Sequence, residues 1–289
     1  MNTIALFKHL RPINLFIVAL TMLMVTNMLS VSSTDNLSFY FCNFLAFSTI
    51  CVCAWGYIDN DICDIGIDSI NKNKPIDLVG LRKMWYFLGA LCVISTLIIT
   101  CFSHLNATLN VIVIGLLLYY NKYAKRQFLI GNLIVATLCA LVLYVPYIYV
   151  QKISTVDSSK LGYINIYALF SFLITFIREI VKDMEDTEGD EAMGARTIPI
   201  VVGIYWFKWL LGFTIVLLMY FFIYFGAALF FSLPLFLSFI IFILFFFLSM
   251  YLLYLLNISK TKKDFARMSL VLKLIMLSGL LFSLSLFVV

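Results

Sequence analysis

Charged side chains are scarce in this sequence of 289 residues. Asp, Glu, Lys and Arg make up 12% of it, whereas 63% is hydrophobic and the mean hydropathy is +1.05. Soluble domains are about one quarter charged, so this chain has too few charges to cover a globule in water. The composition therefore excludes a soluble protein and predicts an integral membrane protein. No nucleic-acid partner is expected.

The sequence also lacks a cysteine framework for a metal or for disulfides, and it contains only two histidines. Most cysteines lie in apolar runs, and the Cys-x-Cys at 51–53 has no second pair. We therefore predict that all seven are core thiols. His9 and His104 lie near the N-terminus and in a loop, which predicts surface roles. The cysteines are Cys42, Cys51, Cys53, Cys63, Cys92, Cys101 and Cys139.

Long apolar runs are abundant, and each is close to the length needed to cross about 30 Å of hydrocarbon. They predict an all-α, polytopic protein with about nine transmembrane helices. The first run follows basic residues but is long and has no convincing cleavage site, so we interpret it as a helix rather than a signal peptide. The runs are 13–29, 39–57, 85–101, 105–119, 128–150, 161–177, 209–230, 235–256 and 268–289.

The basic residues define an orientation. With nine spans, 18 of the 20 Lys and Arg residues fall on the side that holds the N-terminus, and only Lys152 and Lys160 fall opposite. Positive charge is enriched in cytoplasmic loops. We therefore predict a multi-pass protein of the cell membrane with a cytoplasmic N-terminus.

The acidic residues are concentrated in two windows, which hold 12 of the 15 Asp and Glu side chains. Both windows are predicted to lie on the cytoplasmic side, after an even-numbered helix. Carboxylates packed this closely repel one another unless cations lie among them. The first acidic cluster is Asp59, Asp61, Asp64, Asp68 and Asp77, and the second is Glu179, Asp183, Glu185, Asp186, Glu188, Asp190 and Glu191.

Spacing within the two clusters indicates a metal site. Asn60, Asp64 and Asp68 recur every fourth residue, which places them on one face of a helix. Asp186 and Asp190 repeat that step, and Asp183 lies three residues earlier on the same side. Carboxylate and amide oxygens suit Mg²⁺, which typically completes its coordination with water and substrate phosphates. We therefore predict that the two clusters hold a diphosphate through Mg²⁺.

Basic side chains lie near these acids in the sequence. A diphosphate leaving group needs such cations to offset the negative charge that builds as it departs. An interface anchor is the alternative role for the pair that ends the fourth span, Lys125 and Arg126. The candidate diphosphate ligands are Tyr120, Lys125, Arg178, Lys182 and Arg196.

At these residues the chain resembles the UbiA superfamily of intramembrane prenyltransferases. Its first signature, N-x-x-x-D-x-x-x-D, matches Asn60, Asp64 and Asp68, and its second, D-x-x-x-D, matches Asp186 and Asp190. The resemblance implies one membrane domain over residues 1–289, with nine helices and a cytoplasmic active site. It also implies Mg²⁺-dependent transfer of a prenyl group from an allylic diphosphate, with these carboxylates and Lys125 as catalytic residues.

Two longer stretches resemble one branch of that superfamily. Residues 178–190 with 194–203, and R-P-I-N at 11–14, are similar to the digeranylgeranylglyceryl phosphate synthase branch. The resemblance implies that a geranylgeranyl group is transferred to geranylgeranylglyceryl phosphate, which forms a diether lipid. Arg11, Lys74 and Arg82 are the candidates for binding the acceptor phosphate, with an interface anchor as the alternative role. Asn14 is the candidate for orienting the acceptor hydroxyl, with a hydrogen bond to a neighbouring helix as the alternative.

Two departures from the family pattern leave alternatives open. Lys74-Pro75 stands where an Arg-Pro pair is common, and the step from Tyr120 to Lys125 is one residue longer than the family's Y-x-x-x-K. An aromatic acceptor of quinone biosynthesis, such as 4-hydroxybenzoate or dihydroxynaphthoate, is the main alternative. An ion-coupled transporter is a distant one, because its acids should lie in broken helices near the bilayer midplane.

Overall fold

A computed structural model of the chain describes residues 3–29, 36–66, 78–192, 194–230 and 235–285. The described residues are helical almost throughout, and within the described ranges consecutive helices are joined by only a few residues. The helices are α1 (Thr3–His9), α2 (Pro12–Met28), α3 (Asn36–Cys63), α4 (Leu78–Phe102), α5 (His104–Lys122), α6 (Ile130–Leu141), α7 (Tyr144–Ile153), α8 (Ser158–Ala192), α9 (Ile198–Phe230), α10 (Leu235–Ile258) and α11 (Lys262–Ser285). A 3₁₀ turn, Ala124–Arg126, follows α5.

Each predicted apolar run falls on a helix, as far as the described residues extend. The run 128–150 falls on two helices, α6 and α7, which meet at a bend of 40°. Four described helices, α3, α4, α8 and α9 up to Tyr224, are long and apolar enough to cross a membrane, and the bent pair makes a fifth if it is one span. The protein is thus an all-helical, multi-pass membrane protein, while nine spans and their orientation stay predictions.

Two helices differ from the predicted boundaries. The run 161–177 is part of α8, whose 35 residues carry the second acidic cluster in the same helix. At 1.5 Å per residue such a helix is about 50 Å long, well beyond the thickness of the hydrocarbon core. α9 begins at Ile198, eleven residues before the predicted start at 209, and it bends at Gly203, where φ is 76°.

The chain divides into two compact units, and the first comprises Met1–Lys125 with Leu141–Ile164. Here α3 is central and packs against α2, α4, α5 and α7. Gly56 allows α3 and α5 to approach closely, since a Cβ added there would lie 3.0 Å from the Leu117 side chain. The ring of Phe41 on α3 lies 4.4 Å from that of Tyr149 on α7.

Polar side chains also join the helices of this unit. Asn110 on α5 donates to the hydroxyls of Thr96 on α4 (2.7 Å) and Ser48 on α3 (3.3 Å). Ser48 in turn donates to Ser95 on α4 at 2.9 Å. In an apolar surrounding, such bonds satisfy groups that would otherwise be buried without partners. This cluster therefore fixes the rotation of three helices relative to one another.

Replacing Asn110 with leucine is expected to destabilise the protein by about 1–2 kcal/mol, because two interhelical hydrogen bonds are lost. Thermal unfolding in detergent, followed by size-exclusion chromatography, measures the change. Asn43→Leu is the matched control, since the Asn43 side chain donates to the carbonyl of Phe39 in its own helix. Equal losses for the two variants would contradict a role for Asn110 between helices.

The second unit comprises Arg126–Ala140 with Asn165–Val289. Its core is a continuous apolar cluster from α8, α9, α10 and α11. The rings of Phe222 on α9 and Phe245 on α10 stack with centroids 3.5 Å apart. Gly279 on α11 packs so closely on Phe170 of α8 that an added Cβ would lie 2.7 Å from the ring. The fully buried members include Ile177, Ile180, Val181, Phe207, Leu211, Phe265 and Leu272.

The cysteines are free thiols, as predicted, but not all of them are in the core. Cys42, Cys51 and Cys92 are buried, whereas Cys101 is exposed on α4. The prediction is therefore wrong for Cys101. An apolar run in a membrane protein has a face directed away from its neighbours, so an apolar context alone does not imply burial.

Candidate active site

The described members of the first acidic cluster, Asp59, Asp61 and Asp64, lie where α3 ends. The Asp64 backbone N–H donates to the Asn60 carbonyl at 2.9 Å, which continues the helical pattern one residue beyond Cys63. Asn60 is only 6% exposed, so its amide belongs to the packed end of the helix. The predicted four-residue helical step from Asn60 to Asp64 is thus observed. The predicted metal ligand Asp68 and acceptor residue Lys74 lie outside the described residues.

Lys125 forms an ion pair with Asp64. Its ammonium group lies 2.5 Å from Asp64 Oδ1, and the side chains are 9% and 17% exposed, respectively. The short turn Ala124–Arg126 brings Lys125 back toward α3 after α5 has ended at Lys122. Tyr120 lies in the last turns of α5 and is half-buried. The structure therefore joins one predicted carboxylate ligand to one predicted cation, 61 residues apart in sequence.

Asp59 has a different set of partners from Asp64. Trp85 Nε1 donates to one of its oxygens at 2.9 Å, and Asn121 Nδ2 donates to the other at 2.7 Å. The Asn121 amide also donates to the carbonyl of Gly56 at 3.2 Å. Asp59 therefore joins α3 to α4 and α5, and its role is structural.

Asp61 faces the junction between α1 and α2. His9 Nδ1 lies 2.7 Å from its Oδ2, and an Arg11 nitrogen donates to its Oδ1 at 3.0 Å. The Arg11 guanidinium also lies over the ring of Tyr57, 4.8 Å from the centroid. The His9 side chain is 28% exposed, so it lies partly at the surface and also contacts Asp61. Asn14, another candidate acceptor residue in the described chain, is half-buried in the first turn of α2.

Separate partners explain how these carboxylates tolerate one another. Successive residues on a helix point about 100° apart, so Asp59 and Asp61 reach neighbours on different sides of α3. Each carboxylate accepts from its own donors, and opposite charge or hydrogen bonding stabilises the charged form. The close spacing in sequence therefore does not require a single cation among all three.

The second acidic cluster lies along the C-terminal part of α8. Asp183, Asp186 and Asp190 are half-buried and share one side of this helix, as the spacing predicts. The amide of Asn132, a buried residue on α6, donates to Asp183 Oδ2 at 2.9 Å. This bond holds one oxygen of Asp183 in place. Lys182, a predicted diphosphate ligand, lies next to Asp183 in the same helix.

Two predicted cations near this cluster make different kinds of contact: Arg178 through its side chain and Arg196 through its backbone. Arg178 is paired with the adjacent Glu179 at 3.0 Å, and both side chains are mostly buried. Arg196 follows α8, and its backbone N–H donates to the carbonyl of Arg126 at 2.9 Å, while its side chain is exposed. The Arg196–Arg126 bond ties the segment after α8 to the 3₁₀ turn that precedes α6.

The end of α8 is closed by a Schellman motif. The Ala195 N–H donates to the carbonyl of Asp190 at 2.8 Å, and the Gly194 N–H donates to that of Glu191 at 3.0 Å. Gly194 has a φ of 69°, the left-handed conformation this motif requires. The motif satisfies two terminal carbonyls and so keeps the acidic end of the helix ordered.

Substituting alanine for Gly194 is expected to cost roughly 1 kcal/mol, because a Cβ disfavours positive φ. Space is not the reason, since nothing lies within 4 Å of the added Cβ. Gly162→Ala in the same helix is the control and should be neutral or stabilising, because that position also has room and an ordinary helical φ. Thermal unfolding of the two purified variants measures the difference. A smaller loss for Gly194→Ala than for Gly162→Ala would contradict the capping role.

The donor types of both clusters suit Mg²⁺, which prefers carboxylate and amide oxygens. Within the ranges that the structure describes, no three His, Cys, Asp or Glu side chains come close enough together to hold a metal ion. Few protein ligands are needed when water and substrate phosphates complete the coordination. The set of metal ligands therefore stays a prediction.

Sequence reasoning missed several polar residues that position these carboxylates. Asn121 and Asn132 hold Asp59 and Asp183, and His9 contacts Asp61. A polar side chain within or beside an apolar run is costly unless it has a partner. That cost was a usable signal for Asn132, which lies in the run 128–150.

Apolar helices long enough to span a bilayer, two of which carry acidic residues at one end, define a multi-pass membrane protein. The chain belongs to the UbiA prenyltransferase family, whose sequence model matches residues 15–271. This match confirms the family that the two Asp motifs indicated.

The chain is also similar in sequence to individual proteins. The chain is 38% identical over 156 residues to the digeranylgeranylglyceryl phosphate synthase of Thermococcus sibiricus, a match that covers 53% of each protein. It is 34% identical over 159 residues to that of Sulfurisphaera tokodaii, covering 53% of this chain and 54% of the relative. The chain thus spans about half the length of the curated relatives it matches.

Solved structures share the fold over nearly the whole chain. A structure of digeranylgeranylglyceryl phosphate synthase in membranes matches with a TM-score of 0.66 at 25% identity and covers 100% of both chains. A UbiA homologue from Archaeoglobus fulgidus, bound to DMAPP and Mg²⁺, matches with a TM-score of 0.61 at 14% identity over 98% of this chain and 99% of that one.

Proposed function

We propose that this protein is a prenyltransferase that transfers a geranylgeranyl group from geranylgeranyl diphosphate to geranylgeranylglyceryl phosphate. The observation that carries the proposal is the pairing of Asp64 with Lys125 at the end of α3, which unites a carboxylate of the first family motif with a nearby cation. The curated relatives support the choice of substrates, because those relatives are synthases of a digeranylgeranylglyceryl phosphate.

The reaction breaks the bond between C1 of the allylic group and the diphosphate oxygen, and it forms a bond from C1 to the acceptor hydroxyl oxygen. The products are the ether, diphosphate and a proton. Lys125, Lys182 and Arg178 would offset the charge that develops on the departing diphosphate, with Arg196 as a further cation and Tyr120 as a hydrogen-bond donor. Aromatic faces in the apolar helices would stabilise the allylic cation.

Both acidic clusters would contribute to holding the diphosphate through Mg²⁺. The ligands would be Asn60, Asp64, Asp68, Asp186 and Asp190, with Asp183 assisting directly or through water. When bound, Mg²⁺ would neutralise part of the diphosphate charge. Asn132 would hold Asp183 in one orientation, because its amide donates to one of the two carboxylate oxygens.

The acceptor has a phosphate of its own, which requires a cation. Arg11 and Lys74 would bind this phosphate, and Asn14 would orient the attacking hydroxyl. The prenyl chains would lie among the apolar helices of one membrane domain over residues 1–289, with both clusters and the N-terminus on the cytoplasmic side. An active site next to the hydrocarbon suits this reaction because donor and acceptor both carry long apolar chains.

The test uses purified protein in lipid nanodiscs with Mg²⁺ and radiolabelled geranylgeranyl diphosphate. Separate reactions receive geranylgeranylglyceryl phosphate, 4-hydroxybenzoate or dihydroxynaphthoate, and each is repeated with EDTA. The expected result is a labelled diether in the first reaction alone, abolished by EDTA. Label on an aromatic acceptor would instead assign the protein to quinone biosynthesis, and no transfer to any acceptor would argue against the proposed substrates.

A further inference from the structure

The junction between α1 and α2 holds an arginine in an unfavourable backbone conformation. Arg11 precedes Pro12, the first residue of α2, and has φ 52° and ψ 60°. A left-handed conformation costs a residue with a Cβ roughly 1–2 kcal/mol. Such strain persists only where the surrounding structure holds it in place, and it is concentrated at functional sites.

Two side chains of α3 hold Arg11. Asp61 accepts from its guanidinium at 3.0 Å, and the Tyr57 ring lies under the guanidinium at 4.8 Å. Tyr57 and Asp61 are four residues apart, so they share one face of α3. The Asp61 side chain is only 10% exposed, which makes its contact with a cation stronger than a surface ion pair. The guanidinium is therefore restrained both by charge and by the aromatic face.

The second oxygen of Asp61 is also engaged. His9, the last residue of α1, lies 2.7 Å from Oδ2, while Arg11 occupies Oδ1. Asp61 thus accepts from both sides of the junction between α1 and α2. Asp61 therefore differs in its partners from Asp64, which pairs with Lys125 instead.

We propose that Asp61 is a positioning residue for the acceptor: it fixes the guanidinium of Arg11 so that Arg11 can bind the acceptor's phosphate. This inference rests on the proposed function, in which Arg11 binds that phosphate. A planar guanidinium binds phosphate through a fork of donors whose direction matters. A carboxylate and a ring that orient this fork therefore lower the ordering cost when the lipid phosphate binds. His9 anchors α1 to the same carboxylate but does not orient the guanidinium.

The experiment measures KM for geranylgeranylglyceryl phosphate and for geranylgeranyl diphosphate in nanodiscs, together with equilibrium binding of the acceptor by calorimetry. Asp61→Asn should raise the acceptor KM and Kd about tenfold, because a charge-assisted hydrogen bond is weakened. KM for the diphosphate should stay within about twofold of the wild-type value; a twofold change corresponds to about 0.4 kcal/mol. Asp61→Glu should recover part of the acceptor affinity.

Three further variants distinguish positioning from anchoring. His9→Ala loosens α1 and should leave the acceptor KM nearly unchanged. Asp59→Asn is the matched control, because Asp59 is as buried as Asp61 but accepts from Trp85 and Asn121. This variant should lower the stability of the protein without changing the ratio of the two KM values. In the Arg11→Met background, Asp61→Asn should have little further effect, because residues that act through one another are not additive.

Two outcomes would overturn the inference while leaving the proposed function intact. One is an equal rise of both KM values in Asp61→Asn. The other is a full additional loss of acceptor affinity when Asp61→Asn is added to Arg11→Met. Failure of the wild-type protein to bind or use geranylgeranylglyceryl phosphate would be a different result, and it would overturn the proposed acceptor and this inference together.

Discussion

Asp64→Asn is expected to reduce prenyl transfer by at least about a hundredfold, the loss seen when one group that stabilises developing charge is removed from an active site. The substitution takes away a negative charge that the proposed Mg²⁺ site needs. It preserves shape, and the asparagine carbonyl can still accept from Lys125, the present partner of Asp64 at 2.5 Å. Folding and membrane insertion should therefore persist. Transfer of radiolabel to the acceptor, at saturating Mg²⁺, measures the effect.

The same substitution at Asp186 tests the second acidic cluster, and it should abolish transfer to a similar extent. Asp157→Asn is the control for both, because Asp157 lies between α7 and α8, is exposed, and accepts from the hydroxyl of Ser159 at 2.6 Å. That variant should retain normal activity. Near-normal turnover in Asp64→Asn or Asp186→Asn, with the protein folded, would mean that the diphosphate site is wrongly assigned.

Lys125→Met is expected to lower transfer about a hundredfold as well, since the leaving diphosphate would lose a cation beside it. The Lys125 ammonium lies against Asp64 and is nearly buried, so its removal also takes away the charged partner that the described residues provide for that carboxylate. We expect a loss of stability of about 1–3 kcal/mol, measured as the change in unfolding temperature without substrate. Lys125→Arg should keep part of both properties because the charge remains.

Lys122→Met is the matched control for this prediction. Lys122 ends α5, three residues before Lys125, and its side chain is exposed. Its replacement should change neither the rate of transfer nor KM for the prenyl diphosphate by more than about twofold. If both lysine variants lose activity equally, the basic residues after α5 act as a general membrane anchor, which was the alternative role for Lys125 and Arg126.

Much of the helical architecture could be predicted from local sequence. Burying a backbone in hydrocarbon requires internal hydrogen bonding, so an apolar run of sufficient length becomes a helix whatever surrounds it. The runs 39–57 and 85–101 lie within α3 and α4 for this reason. The helical step from Asn60 to Asp64 and that from Asp186 to Asp190 were likewise predictable, because the period of an α-helix is a local property.

Helix ends and bends were less predictable. The extension of α8 to Ala192 depends on the cap formed at Gly194, and the bend between α6 and α7 divides a run that is apolar throughout. Hydropathy measures the cost of leaving the lipid, and it does not distinguish a polar segment that continues a helix from one that forms a loop. The start of α9 at Ile198 was missed for the same reason.

The partners of the charged residues depend on how the helices pack against one another. Composition and spacing sufficed to indicate a membrane protein and to single out its acidic residues, because hydrophobic length and helical period are local properties of the sequence. The prenyltransferase family was indicated by the resemblance of the two Asp motifs to the UbiA superfamily. Composition and spacing did not distinguish three carboxylates at the end of α3 that have different partners. Asp59 is held by Trp85 and Asn121, Asp61 by His9 and Arg11, and Asp64 by Lys125. Each of these contacts joins residues at least 26 positions apart, and a side chain's neighbour at such a distance is set by the rotation and close packing of whole helices.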